Sequence, residues 1–441
     1  MTDSRIYADL SALLSNNQPT LMVLKRVIAS HLTWDEFLQM RLPDEMSPVA
    51  TWDLVRSLKR SMGIELPVPD MEGNKYWYLR THEIADSIAQ IQCLCRADSG
   101  LYRRLTSTKN TTVLVCSRIN ETIAAAHLDG LEVTARDYND MLRSHRLPRT
   151  DNERLVTNTL GAIDRLDDFV NEPFSFELLM HLRDLVMKDV DPEGLVSTQT
   201  RLGTVAFDYD DAVVAEHADQ QLKHICDYAN HLTGDTHDHP VYRGLLLPEL
   251  FRFYRPLPDA NSQVGRLVFR LYAQKAGIPV LGLLPISQVK LDWEDGKLGT
   301  SLVSFEPRDY AKDRRIQGSD LTDHATLSVQ LALVALLDLN WKLEALERED
   351  ENLRTLLQED PEINHRQRSI LGRALKTPDA EFRIAYHKTT HNVVYATARA
   401  DLLELEDKGF LVMNKKGRAM VFTPRENLHS YIKNEYQRTR K

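Results

Sequence analysis

The stretch DLTDHATLSVQLALVALLDLNWKLEALEREDENLRTLL (Asp320–Leu357) constrains this chain more than any other. Leu333, Leu336, Leu337 and Leu343 recur along it at helical spacing, so it reads as one long helix with an apolar side. Such a side must be buried against other elements, and the sequence before it is helical in pattern as well. Around Glu347–Arg354 acidic and basic residues mix, which marks a solvated face. The fold class expected is mainly α.

Residues 1–115 read as short amphipathic helices broken by the Pro-containing loops LPDEMSP and ELPVPDMEGN. Their centre is THEIADSIAQIQCLCRADSGLYRRL, with Ile84, Ile88, Ile91 and Leu94 at helical spacing. Further helices are expected to start at Thr134, Asp151 and Ser175, and Asp191–Gly194 marks a turn. Arg201–Tyr209 alternates as a short strand or hairpin, and two helical stretches follow, Ala212–Leu232 and Val241–Phe253.

The last eighty or so residues change character. INHRQRSILGRALK, FRIAYHKTTHN and VVYATARADLLELEDKG read as three helices, the last stopped by Gly409. LVMNKKGRAMVFTP then alternates as two short strands around Lys415-Lys416-Gly417. Three helices and a hairpin form the pattern of a winged helix-turn-helix, with the third helix in the recognition position. Residues 361–441 carry 16 Lys+Arg against 9 Asp+Glu, a balance of +7, so the other 360 residues hold −16 of the net −9. A basic module on an acidic body attracts phosphates. Arg399 on the helix and Lys415, Lys416 and Arg418 on the wing are the candidate DNA contacts. Asp401, Glu404, Glu406 and Asp407 on the same helix speak for a protein partner or a homodimer instead, and both readings stay open.

Composition narrows the remaining classes. At 441 residues the chain exceeds the usual single core, and the expected division is 1–114, an N-terminal helical region, 115–358, and 361–441. No stretch reaches the roughly 18 uncharged apolar residues of a membrane helix, and the N-terminal residues lack an export signal, so no membrane partner and a cytoplasmic location are expected. Four cysteines are too few for a disulfide framework; Cys93 and Cys95, without a second ligand pair, read as helix packing residues rather than a metal site.

Chemistry concentrates in FYRPLPDANSQVGRLVFRLYAQKAGIP (Phe253–Pro279), a loop entering a helix near Ser262 whose apolar side carries Val264, Leu267, Val268 and Leu271. A helix start offers unpaired N–H groups and the positive end of the dipole, a natural anion site, and Arg266 on the first turns adds a forked guanidinium.

This segment resembles the Fic (Fido) motif H-P-F-x-[DE]-G-N-G-R-x-x-R, which aligns without gaps on Arg255–Arg266. Pro256, Asp259, Asn261 and Arg266 match; Arg255 stands for the histidine, Leu257 for the phenylalanine, Ala260 and Ser262 for the glycines, and Gln263 for the first arginine. DHPVYRGLLLPELFRF and LVFRLYAQKAGIP resemble the helices on either side, TQTRLGTVAF falls at the family's flap, and AAAHLDGLEVT (Ala124–Thr134) at its inhibitory helix. The resemblance covers roughly Val115–Pro424 and implies an all-helical Fic fold with a β-hairpin flap. It also implies ATP with magnesium as cofactors, AMP transfer to a protein hydroxyl, and phosphate or nucleotide contacts at Asp259, Asn261, Gly265 and Arg266. Ala125 and Asp129 stand where Ser or Thr and Glu are expected in the inhibitory segment, and an Asp129–Arg266 pair follows from that position.

The departures oppose that activity. The motif histidine is a base, whereas arginine stays protonated in proteins, so Arg255 cannot take a proton. Ala260 and Ser262 replace residues that tolerate positive φ, and Gln263 removes a charge from the phosphate site. The expected protein is therefore a catalytically impaired or altered regulator that binds a nucleotide, phosphate or partner; an active adenylyltransferase and a DNA-binding regulator on a Fic scaffold are the alternatives. Blander roles stand beside the sharp ones. Arg255 as salt-bridge partner of Asp259 or Glu249 competes with Arg255 as phosphate ligand, and Asp259 either holds a metal or pairs with an arginine of the loop. Asn261 is a helix cap or a ligand, His237 and His239 are exposed turn residues, Tyr254 packs in the core, and Trp293 is a lid over it.

Overall fold

The computed structural model describes residues 34–42, 47–70, 72–107, 110–134, 146–192, 218–231, 238–298, 319–377, 380–416 and 419–436, with isolated positions between them. The chain divides into two units, residues 1–105 with 114–339 and residues 106–113 with 340–441. The expected flap, Arg201–Tyr209, lies outside the described residues, as does most of the helix expected from Thr134.

The first unit opens with α1 (Trp34–Leu38) and α2 (Pro48–Met62), then a hairpin of β1 (Ile64–Pro69) and β2 (Lys75–Tyr78). ELPVPDMEGN is thus a β-hairpin and not a plain loop. Asp70 makes its turn: its Oδ1 accepts the N–H of Glu72 at 3.0 Å and of Asn74 at 2.7 Å, and Gly73 takes φ +84°. Pro67 and Pro69 are tolerated because a two-stranded sheet consists of edges. Trp77 bonds onward to Ser319 and Leu321, tying the hairpin to the start of the long helix.

After the hairpin come α3 (His82–Cys95) and α4 (Gly100–Leu105), separated at Arg96–Ser99 instead of fused. Ile84, Ile88 and Ile91 are buried as expected, but Leu94 is 40% exposed and Cys95 takes its place in the core. Cys93 is exposed, so of the C-x-C pair one residue packs. Next follow α5 (Thr111–Leu128), α6 (Asp151–Asp164) capped by Thr150, α7 (Phe176–Val186) capped by Ser175, and α8 (Ala218–Ala229).

At the centre, α9 (Pro240–Tyr254) and α10 (Asn261–Lys275) pack against each other. Val264, Leu267, Val268 and Leu271 are fully buried. Two glycines permit the close approach: a Cβ on Gly265 would lie 3.0 Å from Phe251 Cβ and 3.1 Å from Pro248 Cα, and one on Gly244 3.2 Å from the Tyr272 ring. Helix α11 (Ile286–Glu294) follows, and Trp293 on it is buried in the core. Helix α12 (Thr322–Glu359) is the long helix expected. Its buried stripe is Leu336, Leu339 and Leu343; Leu337 is 51% exposed, because strict helical spacing carries it around the cylinder. Residues 322–348 of α12 are long and apolar enough to cross a bilayer, yet over half of the most apolar window is buried inside the protein.

In the second unit, α13 (His365–Lys376) starts with a capping box of Asn364 and Gln367. Strand β3 (Phe382–Arg383), α14 (Ile384–His391), α15 (Tyr395–Asp407), β4 (Leu411–Lys416), β5 (Ala419–Pro424) and α16 (Leu428–Tyr431) follow. The strands form an antiparallel sheet in the order β3-β5-β4. Leu371, Leu402, Leu405, Phe410, Phe422 and Ile432 are its fully or almost fully buried core. Gly409, at φ +76°, ends α15 as expected.

Candidate functional site: the loop between α9 and α10

The loop from Arg255 to Ala260 is held by two left-handed residues. Arg255 ends α9 at φ 47°, its N–H bonded to Phe251 O at 3.0 Å, and Ala260 precedes α10 at φ 54°. Ala260 therefore adopts the backbone that a glycine adopts freely, at a cost of about 1 kcal/mol. Pro256 and Leu257 are buried beneath the loop, and Arg255 is exposed.

Asp259, Asn261, Gln263 and Arg266 each have a partner inside the protein. Asn261 is not a helix cap: its Oδ1 accepts the N–H of Leu257 at 2.9 Å and its Nδ2 donates to Leu257 O at 2.8 Å, closing the loop as a clasp. Asp259 receives a bidentate guanidinium from Arg183 on α7, Nε at 2.7 Å and Nη2 at 2.5 Å. That contact pushes the Arg183 pKa further up. Glu249 pairs with Arg252 at 2.8 Å. Neither Asp259 nor Glu249 is thus the ion-pair partner of Arg255 that the sequence suggested. Gly265 faces α9 and serves helix packing, as its blocked Cβ position shows.

Arg266 meets Asp129, which follows α5. Nη1 donates to Oδ2 at 2.7 Å and Nη2 to Oδ1 at 3.3 Å, while Gln263 Nε2 adds a third bond to Oδ2 at 3.0 Å. The pair expected from the inhibitory segment is present. The Asp129 N–H bonds to Ala125 O and Ala126 O at 3.1 Å, and Gly130 turns the chain at φ 80°. Burial opposes the charge on Arg266, but Asp129 raises its pKa. As arranged, Asp259 faces an arginine where the resemblance implies magnesium, and Arg266 faces a carboxylate where it implies phosphate. These side chains do not fit ATP with magnesium without breaking both ion pairs.

Other candidates resolve as structure. The Tyr254 hydroxyl donates to Pro69 O and burial drives its pKa up, so it is a core tyrosine and no acid/base group. His239 is not an exposed turn residue: it caps α9 through Nδ1, 3.2 Å from Val241 N, and its Nε2 lies 3.1 Å from Gln92 Oε1. His237 lies outside the described residues. Among the described residues there is no cluster of His, Cys, Asp and Glu able to hold a metal.

In the second unit, the acidic residues of α15 do not share one exposed face. Asp401 is buried and accepts from Arg366 at 2.7 and 2.9 Å, Asn364 at 2.9 Å and His387 at 3.0 Å. Burial would raise its pKa, but these donors hold it at about 2. Glu404 accepts from Gln367 at 2.7 Å. The outward residues include Tyr395, Ala396, Arg399 and Ala400. Lys415 and Lys416 belong to β4, and Arg418 lies outside the described residues.

Sequence reasoning missed Arg183, 76 positions from Asp259, and no local signal could have found it. It also missed a charged cavity beside α10, where Glu249 and Arg252 meet Lys290 and His324. A charged pair within the apolar run LLLPELFRFY was its one trace.

No protein-family profile and no curated protein matches the chain. Solved structures do. Over 79% of its length the chain is similar to a Fic family protein from Desulfovibrio desulfuricans, covering 97% of that protein at 17% identity and a TM-score of 0.43. Over 78% it is similar to Fic-1 from C. elegans, covering 98% of that chain at 14% identity and a TM-score of 0.40. Over 60% it is similar to a Fic domain containing signaling protein from Bacteroides thetaiotaomicron, covering 97% of that chain at 13% identity and a TM-score of 0.38.

Proposed function

We propose that this chain is a Fic-like regulatory protein without AMP-transfer activity, whose second unit is a winged helix-turn-helix that binds duplex DNA. One observation carries the first half: Asp259, Asn261 and Arg266, the motif side chains suited to metal and phosphate, are engaged by Arg183, Leu257 and Asp129. Arg255 adds the chemical reason, since a guanidinium cannot accept the proton that transfer to a hydroxyl releases. A nucleotide reaches Arg266 only by displacing Asp129, so nucleotide affinity is low while that pair stands. The second half is supported by the helix, helix, sheet order of the second unit and by the inward turn of Asp401. That turn leaves Arg399 exposed on a face less acidic than the sequence suggested.

Incubation with labelled ATP and magnesium tests the first half. Neither the wild type nor Arg255→His is expected to label itself or a target above a heat-killed control, because the single histidine leaves the Asp259–Arg183 and Arg266–Asp129 pairs in place. Robust labelling by the wild type overturns the reading.

A further inference from the structure

Helices α9, α10, α11 and α12 of the first unit enclose a cavity of about 90 Å³. A single water needs only ~10–15 Å³ of such volume, so the space suits a guest of about six non-hydrogen atoms. Its polar lining includes Glu249 and Arg252 from α9, Lys290 from α11, and His324 and Ser328 from α12. Asp129, Glu249, Arg252, Arg266 and Lys290 keep 14–20% side-chain exposure, so solvent reaches the charged ends.

The hydrogen-bond balance in this cavity is one-sided. Asp129 is filled by Arg266 and Gln263, and Glu121 accepts the N–H groups of Ser287 at 2.8 Å and Gln288 at 3.2 Å. Glu249 accepts one bond from Arg252 Nη1, at 2.8 Å. Lys290 Nζ stands 4.0 Å from Glu249 Oε1, too far for a hydrogen bond, and among the described residues it has no closer partner. His324 sits between Tyr242 OH, 3.3 Å from Nδ1, and Ser328 Oγ, 3.4 Å from Nε2. Burial lowers its pKa to about 4, so the ring is neutral near pH 7. With Tyr242 donating to Nδ1, Nε2–H donates to Ser328, whose own O–H is left to point elsewhere. Lys290, Arg252 and Ser328 therefore keep donors that no described acceptor takes up. Burying an ammonium without hydrogen bonds is costly, and an acceptor-rich guest removes that cost.

We propose that this cavity binds a small oxyanion, inorganic phosphate or a short carboxylate, through Lys290, Arg252 and Ser328. The proposal is independent of the DNA reading; its donors belong to α9, α11 and α12, while Asp129, Ser262 and Arg266 line the same cavity from the motif side. Bound anion takes up the open donors of Lys290, Arg252 and Ser328 and links α11 and α12 to α9.

Calorimetric titration of the full chain with phosphate, sulfate and acetate, at ionic strength matched with chloride, tests it. At least one of the three is expected to bind saturably and to raise Tm above the chloride control. The phosphate and acetate arms tell the two chemistries apart. Lys290→Met is expected to weaken that binding tenfold or more, and Ser328→Ala, a small change that keeps the fold, several-fold. Arg255→Ala is expected to leave it unchanged. The proposal fails if no anion binds more tightly than chloride, if Lys290→Met and Ser328→Ala bind as the wild type does, or if Arg255→Ala abolishes binding. Binding of ATP with none of the three small anions also overturns it.

Discussion

Replacing Asp129 by alanine removes the carboxylate that accepts three hydrogen bonds, at 2.7 and 3.3 Å from Arg266 and 3.0 Å from Gln263. Truncating one member of a fully buried ion pair costs about 3–5 kcal/mol, because the other charge is left without compensation. Here Asp129 retains 14% and Arg266 19% exposure, so water relieves part of the loss and about 2–3 kcal/mol is expected. Arg266→Met is expected to cost a similar amount, since Asp129 then keeps only Gln263. The double variant Asp129→Ala/Arg266→Met strands neither charge, and its loss is expected to fall short of the sum of the singles by at least about 1 kcal/mol. Urea unfolding of the three variants and the wild type closes the cycle. Additive losses, or a change below about 0.5 kcal/mol in Asp129→Ala, would refute the view that this pair locks the loop region.

Three further outcomes follow from the same geometry. Ala260→Gly relieves the left-handed φ of 54° and is expected to stabilise the protein by up to about 1 kcal/mol in the same unfolding assay, the strain relieved being partly offset by the entropy of glycine. His324, held at about 4 in the folded state, takes up its proton more readily when unfolded, so the unfolded chain binds more protons between about pH 4 and 6.5. Stability is expected to fall as pH drops through that window, and His324→Gln to flatten this part of the profile; an unchanged slope would place the histidine's titration elsewhere. In gel shifts, neutralising Lys415, Lys416 and Arg418 is expected to flatten the salt slope of DNA binding by about 2–3 units across all sequences, while Arg399→Ala reduces discrimination more than bulk affinity. Absence of any duplex binding at low salt removes the DNA half of the proposed function.

Local pattern determined much of this protein. Thr150 and Ser175 ahead of acidic first turns, Asn364 with Gln367 in a capping box, and Gly409 after Asp407 all place helix ends where the sequence implies them. Val264, Leu267, Val268 and Leu271 were legible as the buried face of α10 because a period of 3.6 needs no knowledge of the partner helix. The motif's departures were equally plain, since no fold gives arginine the chemistry of histidine. What the tertiary structure alone decided is how the charges pair. Arg183 reaches Asp259 across 76 residues, and Asp401 turns inward to Arg366 and His387 instead of facing solvent. An ion pair requires a distance of a few ångströms between groups whose separation in sequence carries no information about it. Periodicity can say which face a residue lies on, but only packing brings a particular donor to a particular acceptor.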